Sequence, residues 1–250
     1  MKYLFIILLF SFSYSQNITV DNNKDFEKAL SFYNSKMYDN ARNLFKKIVS
    51  RTENNSKVTA SAFFVSKILV DQKKYSDAEK SIDEFLKNYP QSKYANEIKN
   101  LLIKSFVDRA DYIRAFESCI TFIESSNSIV YKKETKYVAE KIALGNLKSS
   151  DVEIYFDKHS SLKSFLLLLA GKLYLSEGET SAALNKFDEI TTKHSKSEEY
   201  VEALNLKKTY DVEQTSAGYP IVGVLLSLTD ENERAIQSAN GFVPKSGLEQ

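Results

Sequence analysis

A single cysteine, Cys119, serves the whole 250-residue chain, so no disulfide can close within it. Histidine is nearly as scarce. His159 and His194 lie far apart in sequence, lack the spacing of a helical metal-binding pair, and are expected to be exposed near helix ends. Three prolines and seven glycines leave few interruptions, which suits long helices. A net charge of +1 supplies no basic excess for a phosphate backbone, and no long Lys/Arg run interleaves with aromatics, so nucleic acid is not an expected partner. Catalytic patterns are missing as well. There is no G-x-S-x-G elbow, and Gly171-Lys172 lacks the earlier glycine and the following Ser/Thr of a phosphate loop. The many carboxylates form no recognisable pair, so the expectation is a non-enzyme with no catalytic residues, no cofactor and no metal. What the chain does have is 43% hydrophobic and 27% charged residues, enough for a substantial core.

That apolar content is periodic. Ala41, Ala78 and Ala115 recur at a spacing of 37 residues, each three residues after a tyrosine (Tyr38, Tyr75, Tyr112). Four residues on come Phe45, Ile82 and Cys119; seven residues on come Ile48, Phe85 and Phe122. An alanine followed by bulky apolar residues at these offsets is one face of a helix, where the small residue lets a neighbour approach. A fixed period of this length predicts an all-α solenoid of about five helix pairs, in which no unit buries its apolar face alone. Cys119, sharing a column with Phe45 and Ile82, reads as a small buried apolar residue; the other reading is a reactive thiol or an intermolecular bridge.

Stops and starts divide the chain into units. The first pairs a helix near residues 25–35 with one near 38–50, and Asn54-Asn55-Ser56 then reads as a turn. The second pairs 58–70 with 75–88, stopped by Pro90; the third pairs 94–108 with 112–125. Since 68 residues separate Ala115 from the next matching alanine, Ala183, a degenerate fourth unit must fit between Ser128 and Leu162. Ser150 and Glu153 are expected to open its second helix as a capping box. The fifth carries Leu167, Gly171, Tyr174, Gly178, Ala183, Phe187 and Ile190, with Gly171 expected at a close helix approach. Ser195 and Glu198 are expected to open a last helix that runs to about Tyr210 as a cap.

In these residues the chain resembles the tetratricopeptide repeat (TPR) family. The second unit has Ser66, Leu69, Tyr75, Ala78, Ile82 and Pro90 in the family's order of small, apolar, aromatic, alanine, bulky and proline positions, and the fifth has Gly171, Tyr174, Ala183 and Phe187. The resemblance spans roughly residues 25–210. The family period is about 34 residues, so the longer spacing implies lengthened helices or turns. The joint from Tyr89 to Ala95 is similar to those of envelope repeat proteins that attend outer-membrane assembly and cell-wall synthesis.

The two ends read differently. Met1-Lys2, the apolar run Tyr3 to Phe10 and small Ser13 and Ser15 make residues 1–15 an expected secretory signal, cleaved after Ser15. The run is shorter than the roughly 20 residues that span a bilayer, and no cysteine near the cleavage site supports a lipid anchor. Residues 16–211 are then the repeat domain and 212–219 a small-residue linker. Residues 220–250 are expected to form a short C-terminal strand–helix stub, in which Pro220 to Leu228 is an apolar run of strand length and Asp230 to Ala239 reads as a helix. This stub resembles the opening of type 1 periplasmic ligand-binding domains through Val222 to Leu226, Leu228, Thr229 and Asn240-Gly241-Phe242. Ser227, Asp230 and Pro244 depart from that pattern. Repeats followed by such a domain resemble the lipoprotein activators of penicillin-binding proteins.

The expected function is therefore a non-catalytic exported scaffold, periplasmic or secreted, that holds another envelope protein or a peptide segment and has no stable membrane span after signal cleavage. The alternative is the N-terminal part of a periplasmic small-molecule receptor or ABC-type substrate-binding protein. The pairs Lys67/Asp71 and Lys104/Asp108 repeat at 37 residues. The TPR resemblance implies that they line the groove, together with Tyr33, Asn34 and Lys172 in equivalent places. As a ladder of donors and acceptors they would grip a partner segment; as ordinary i,i+4 surface pairs they would each be worth about 0.2 to 0.5 kcal/mol.

Overall fold

The computed structural model describes residues 22–51 and 56–215, and among these all regular structure is helical. The expected signal, Asn54-Asn55 and the strand–helix stub lie outside the described residues. Three full pairs come first: α1 (Asn22–Asn34) with α2 (Tyr38–Val49), α3 (Val58–Asp71) with α4 (Tyr75–Asn88), and α5 (Ala95–Asp108) with α6 (Tyr112–Ser125). A fourth pair joins α7 (Ile129–Asn146) to the five-residue α8 (Ser149–Glu153). One turn of 3-10 helix at Ser160–Leu162 then leads to the fifth pair, α9 (Lys163–Ser176) with α10 (Thr180–Lys193). Last comes α11 (Tyr200–Thr215). Each helix from α1 to α6 packs on the next, as do α8 on α9, α9 on α10 and α10 on α11, and first helices also meet across pairs, α3 on α5 and α7 on α9. No helix of the described residues is long and apolar enough to cross a membrane.

The repeat has a plain material basis. Two 14-residue helices, a three-residue turn (72–74) and a six-residue joint (89–94) fill the 37-residue period. The alanine column, Ala41, Ala78, Ala115 and Ala183, has no solvent exposure. Phe45, Ile82, Cys119 and Phe187 are equally enclosed four residues on. Buried among these side chains, the Cys119 thiol has its pKa pushed up to about 12, and it behaves as a core residue. Ser66 and Ser81 bond each other at 2.8 Å where α3 and α4 come together. Leu102 touches both the N-terminal and the central core clusters, and Phe156 both the central and the C-terminal ones, so the core is continuous along the array.

Four of the five pairs turn in the same way. The middle residue of the three-residue turn takes a left-handed conformation at Lys36, Lys73, Ala110 and Gly178. Around Ala110, its N–H donates to Val107 at 2.9 Å and the Asp111 N–H to Phe106 at 2.9 Å; around Lys36, Lys73 and Gly178 the same two bonds recur. This paired closure satisfies the last carbonyls of each first helix, and glycine suits its left-handed residue best. Only the fifth pair uses glycine. Ala110→Gly is therefore expected to stabilise the chain by about 1 kcal/mol, raising the melting midpoint by about 2 to 4 °C. A lower midpoint in thermal circular dichroism would contradict this account of the turn.

The structure departs from expectation where the repeat weakens. The fourth pair lacks the left-handed turn; Leu147 and Lys148 are extended, and the second helix shrinks to α8. Its start is capped by Asp151, whose carboxylate accepts the Lys148 N–H at 2.9 Å, two residues ahead of the expected Ser150/Glu153 box. The last helix opens at Tyr200, not at Ser195, because Ser195 to Glu199 form turns that deliver Glu199 into the interior. It also runs to Thr215, so the first residues of the expected linker at 212–219 are helical. His159 and His194 lie near helix ends but are half-buried instead of exposed, and His159 Nδ1 sits 2.8 Å from Glu124.

Candidate functional site

The face built by the first helices of the pairs carries the residues singled out by sequence. Side chains at 67 and 71 share one side of α3, since residues four apart in a helix stack on one face. The Lys67 ammonium lies 3.7 Å from Asp71, and the Tyr33 hydroxyl of α1 donates to the same carboxylate at 2.7 Å. The Lys67 ammonium also stands 5.8 Å from the centre of the Tyr33 ring. Burial first, and then the bond to anionic Asp71, push the Tyr33 hydroxyl pKa well above its usual value, so it remains a donor. Tyr33, Lys67 and Asp71 thus form one connected group across α1 and α3.

One repeat along, Lys104 and Asp108 pair at 2.5 Å on α5 as a separate, more exposed unit. No tyrosine joins them, because Val70 occupies the position equivalent to Tyr33. Asn34, at the end of α1, is exposed.

Lys172 shares the column of Lys67 and Lys104, but its surroundings differ. Its residue is 8% exposed, and its ammonium meets Glu140 of α7 at 2.5 Å and Glu202 of α11. The cause is local. Ser176 stands where Asp71 and Asp108 stand in the earlier units, and its hydroxyl is committed to the Leu173 carbonyl at 2.7 Å. With no carboxylate on its own helix, Lys172 is neutralised by its neighbours. A second bridge runs alongside: Lys136 of α7 meets Glu199 at 2.8 Å and Glu198 at 3.2 Å, while Ser164 of α9 donates to Glu199 at 2.8 Å. Burial pushes the Glu199 carboxyl up, but the Lys136 and Ser164 hydrogen bonds outweigh it and hold the group below its ordinary value. These bridges tie α7 and α11 together over α9, in which every residue from Phe165 to Leu173 is buried.

The bridging partners Lys136, Glu140, Glu199 and Glu202 were not singled out by sequence. Lys136 and Glu140 do show i,i+4 spacing, but on a unit whose register is degenerate, so no column pointed to them. On the solvent side α7 exposes Val130, Tyr137 and Leu144 at seven-residue spacing. Among the described residues no three metal-ligating side chains converge. No protein-family model matches this chain, and no curated protein matches it significantly.

Proposed function

We propose that this chain is an exported, non-catalytic repeat scaffold of TPR type whose first-helix face holds a peptide segment or another protein of the bacterial cell envelope, in cell-wall synthesis or outer-membrane assembly. The observation that carries the reading is the Lys67/Asp71 and Lys104/Asp108 column, two charged pairs set one repeat apart on one face of adjoining helices, as a partner's regularly spaced groups would require. The exposed Val130, Tyr137 and Leu144 on α7 add apolar contact area farther along. Leader-like residues 1–15 and the TPR-like residue order support export and family.

Capture from envelope extract tests it. Lys67→Ala combined with Lys104→Ala is expected to weaken recovery of the bound partner by about tenfold at low salt, while helicity is kept and melting falls only slightly, since i,i+4 pairs whose ammonium groups reach solvent contribute little to folding. The difference should shrink as salt rises, because screening weakens the same contacts in the parent. Equal recovery of every captured protein would remove the site from this face.

A further inference from the structure

Helix α7 carries five of the ten large apolar side chains that stand exposed among the described residues: Ile129, Val130, Tyr137, Val138 and Leu144. Such residues scattered singly need no explanation; half of them gathered on one helix do. The repeat does not ask for them. Counting back 37 residues, the inward positions of α7 match those of α5, Thr135 with Ile98, Ile142 with Ser105 and Ala143 with Phe106, all of them buried. On the outward face Lys93 and Asn100 stand where Val130 and Tyr137 stand, and only Val107, the match of Leu144, is apolar. On α3 the Tyr137 column holds Phe63, but Tyr94 stacks on that ring with centres 5.3 Å apart. An open apolar stripe is thus a property of α7 itself.

Val130, Tyr137 and Leu144 follow one another at two-turn intervals, so they form a nearly straight line along the helix. Charges of both signs flank the line. On one side stand Glu134 and Lys141, both exposed. Lys141 continues the column of Lys67 and Lys104, but Gly145 stands where Asp71 and Asp108 stand, so no carboxylate follows it four residues on. Its ammonium lies 4.7 Å from the centre of the Tyr137 ring instead. No ion pair forms at Glu134 among the described residues. On the other side stand exposed Lys133 and half-buried Glu140, which holds Lys172 through Oε1.

This pattern is complementary to itself. When a second α7 lies antiparallel on the first about a two-fold axis at Tyr137, positions equally far from that residue meet, to within one residue. Val130 then faces Leu144 of the second copy, and the two Tyr137 rings face each other. Glu134 faces Lys141 of the second copy on one flank, and Lys133 faces its Glu140 on the other. Each pairing occurs twice, as an isologous contact requires. A parallel arrangement would set Glu134 on Glu134 and Lys141 on Lys141, so the charges select the antiparallel one.

We propose that the exposed face of α7 is a dimer contact, closed by α7 of a second copy of this chain running antiparallel to it. One helix on one helix is small beside the roughly 1,200 to 2,000 Å² of stable interfaces, so the dimer should dissociate on dilution. The Lys67/Asp71 and Lys104/Asp108 column lies on α3 and α5, outside this contact. A partner segment held there leaves the dimer intact, whereas one that reached α7 would displace the second copy.

Sedimentation velocity of the full chain over a range of concentrations tests it. The parent should pass from monomer to dimer as concentration rises. Glu134→Lys and Lys141→Glu, taken singly, each set like charges face to face twice per dimer and should weaken association about tenfold or more. An equimolar mixture of these two variants restores both attractions and should dimerise nearly as the parent does, and so should the double variant. Tyr137→Glu, which sets two carboxylates at the axis, should abolish the dimer. All these side chains are exposed, so helicity should stay at the parental level; should Tyr137→Glu lose it, the mixing experiment decides alone. A parent that is monomeric at every concentration, a dimer indifferent to Tyr137→Glu, or single-variant losses that mixing does not repair overturns the proposal. Dissociation by Lys67→Ala with Lys104→Ala would put the contact on α3 and α5 and overturn it too.

Discussion

Phe187→Ala is expected to cost about 3 to 5 kcal/mol, the largest loss of any single truncation considered for this chain. The ring has no solvent exposure and closes the C-terminal core between α9 and α10. It also accounts for Gly171, where an added Cβ would fall 2.4 Å from Phe187 Cε1 and 2.8 Å from Cζ. By helix propensity alone Gly171→Ala should gain about 1 kcal/mol. The contact reverses the sign: with the ring in place the substitution should destabilise by about 1 to 3 kcal/mol, and with Phe187→Ala already made that penalty should vanish. Urea midpoints of the two single variants and the double variant measure the coupling. Strict additivity would show that the close approach of α9 and α10 does not depend on this ring.

Lys172→Met removes the other anchor of the C-terminal end, and about 2 to 3 kcal/mol should go with it. Breaking a fully buried pair typically costs roughly 3 to 5 kcal/mol; here Glu140 and Glu202 keep 30% and 52% of their side-chain exposure and regain some water when the ammonium leaves. Adding Glu140→Gln and Glu202→Gln to Lys172→Met should recover part of the loss, because the stranded carboxylates go with it. The pH dependence has a definite sign. Burial pushes the Lys172 ammonium down, but the bonds to Glu140 and Glu202 outweigh it and raise its pKa above the ordinary lysine value. A raised pKa contributes stability that is complete below the unfolded value and lost as pH rises through the folded one. The gap between parent and variant should accordingly hold from neutral pH to about pH 10 and close only above it. A gap that narrows already between neutral and mildly alkaline pH would show that the ammonium is not held in its charged form.

The helix pairs were legible in sequence because burial imposes the same residue types wherever two helices meet. The alanine and bulky columns that set the register are those with no exposure in the fold. Tyr89 and Pro90 marked a true helix end for the same kind of reason: a missing N–H is a local fact that no packing changes. The fourth unit resisted because its contacts are long-range. Nothing near Ser149 announces that its N–H and hydroxyl are held by Glu177, 28 residues on, at 2.8 and 2.7 Å. The same limit governs the charged face. Spacing places Lys67 and Lys104 correctly beside Asp71 and Asp108, since those pairs lie within one helix. Lys172 looks identical in the column, yet its partners come from two other helices, and only the folded chain shows that its charge is already spent.

The burial of α9 also bears on how such a chain can change over evolutionary time. Where pairs repeat with one turn geometry and one register, duplicating a 37-residue block reproduces every contact it needs, and the copies are then free to diverge, as the opposite charges of Arg42 and Glu79 illustrate. That freedom belongs to the part of the array ahead of α7. Beyond it, α9 is enclosed by its neighbours and α7 is bridged to α11 through Lys172, so a block cut from this end would leave buried charges without their partners.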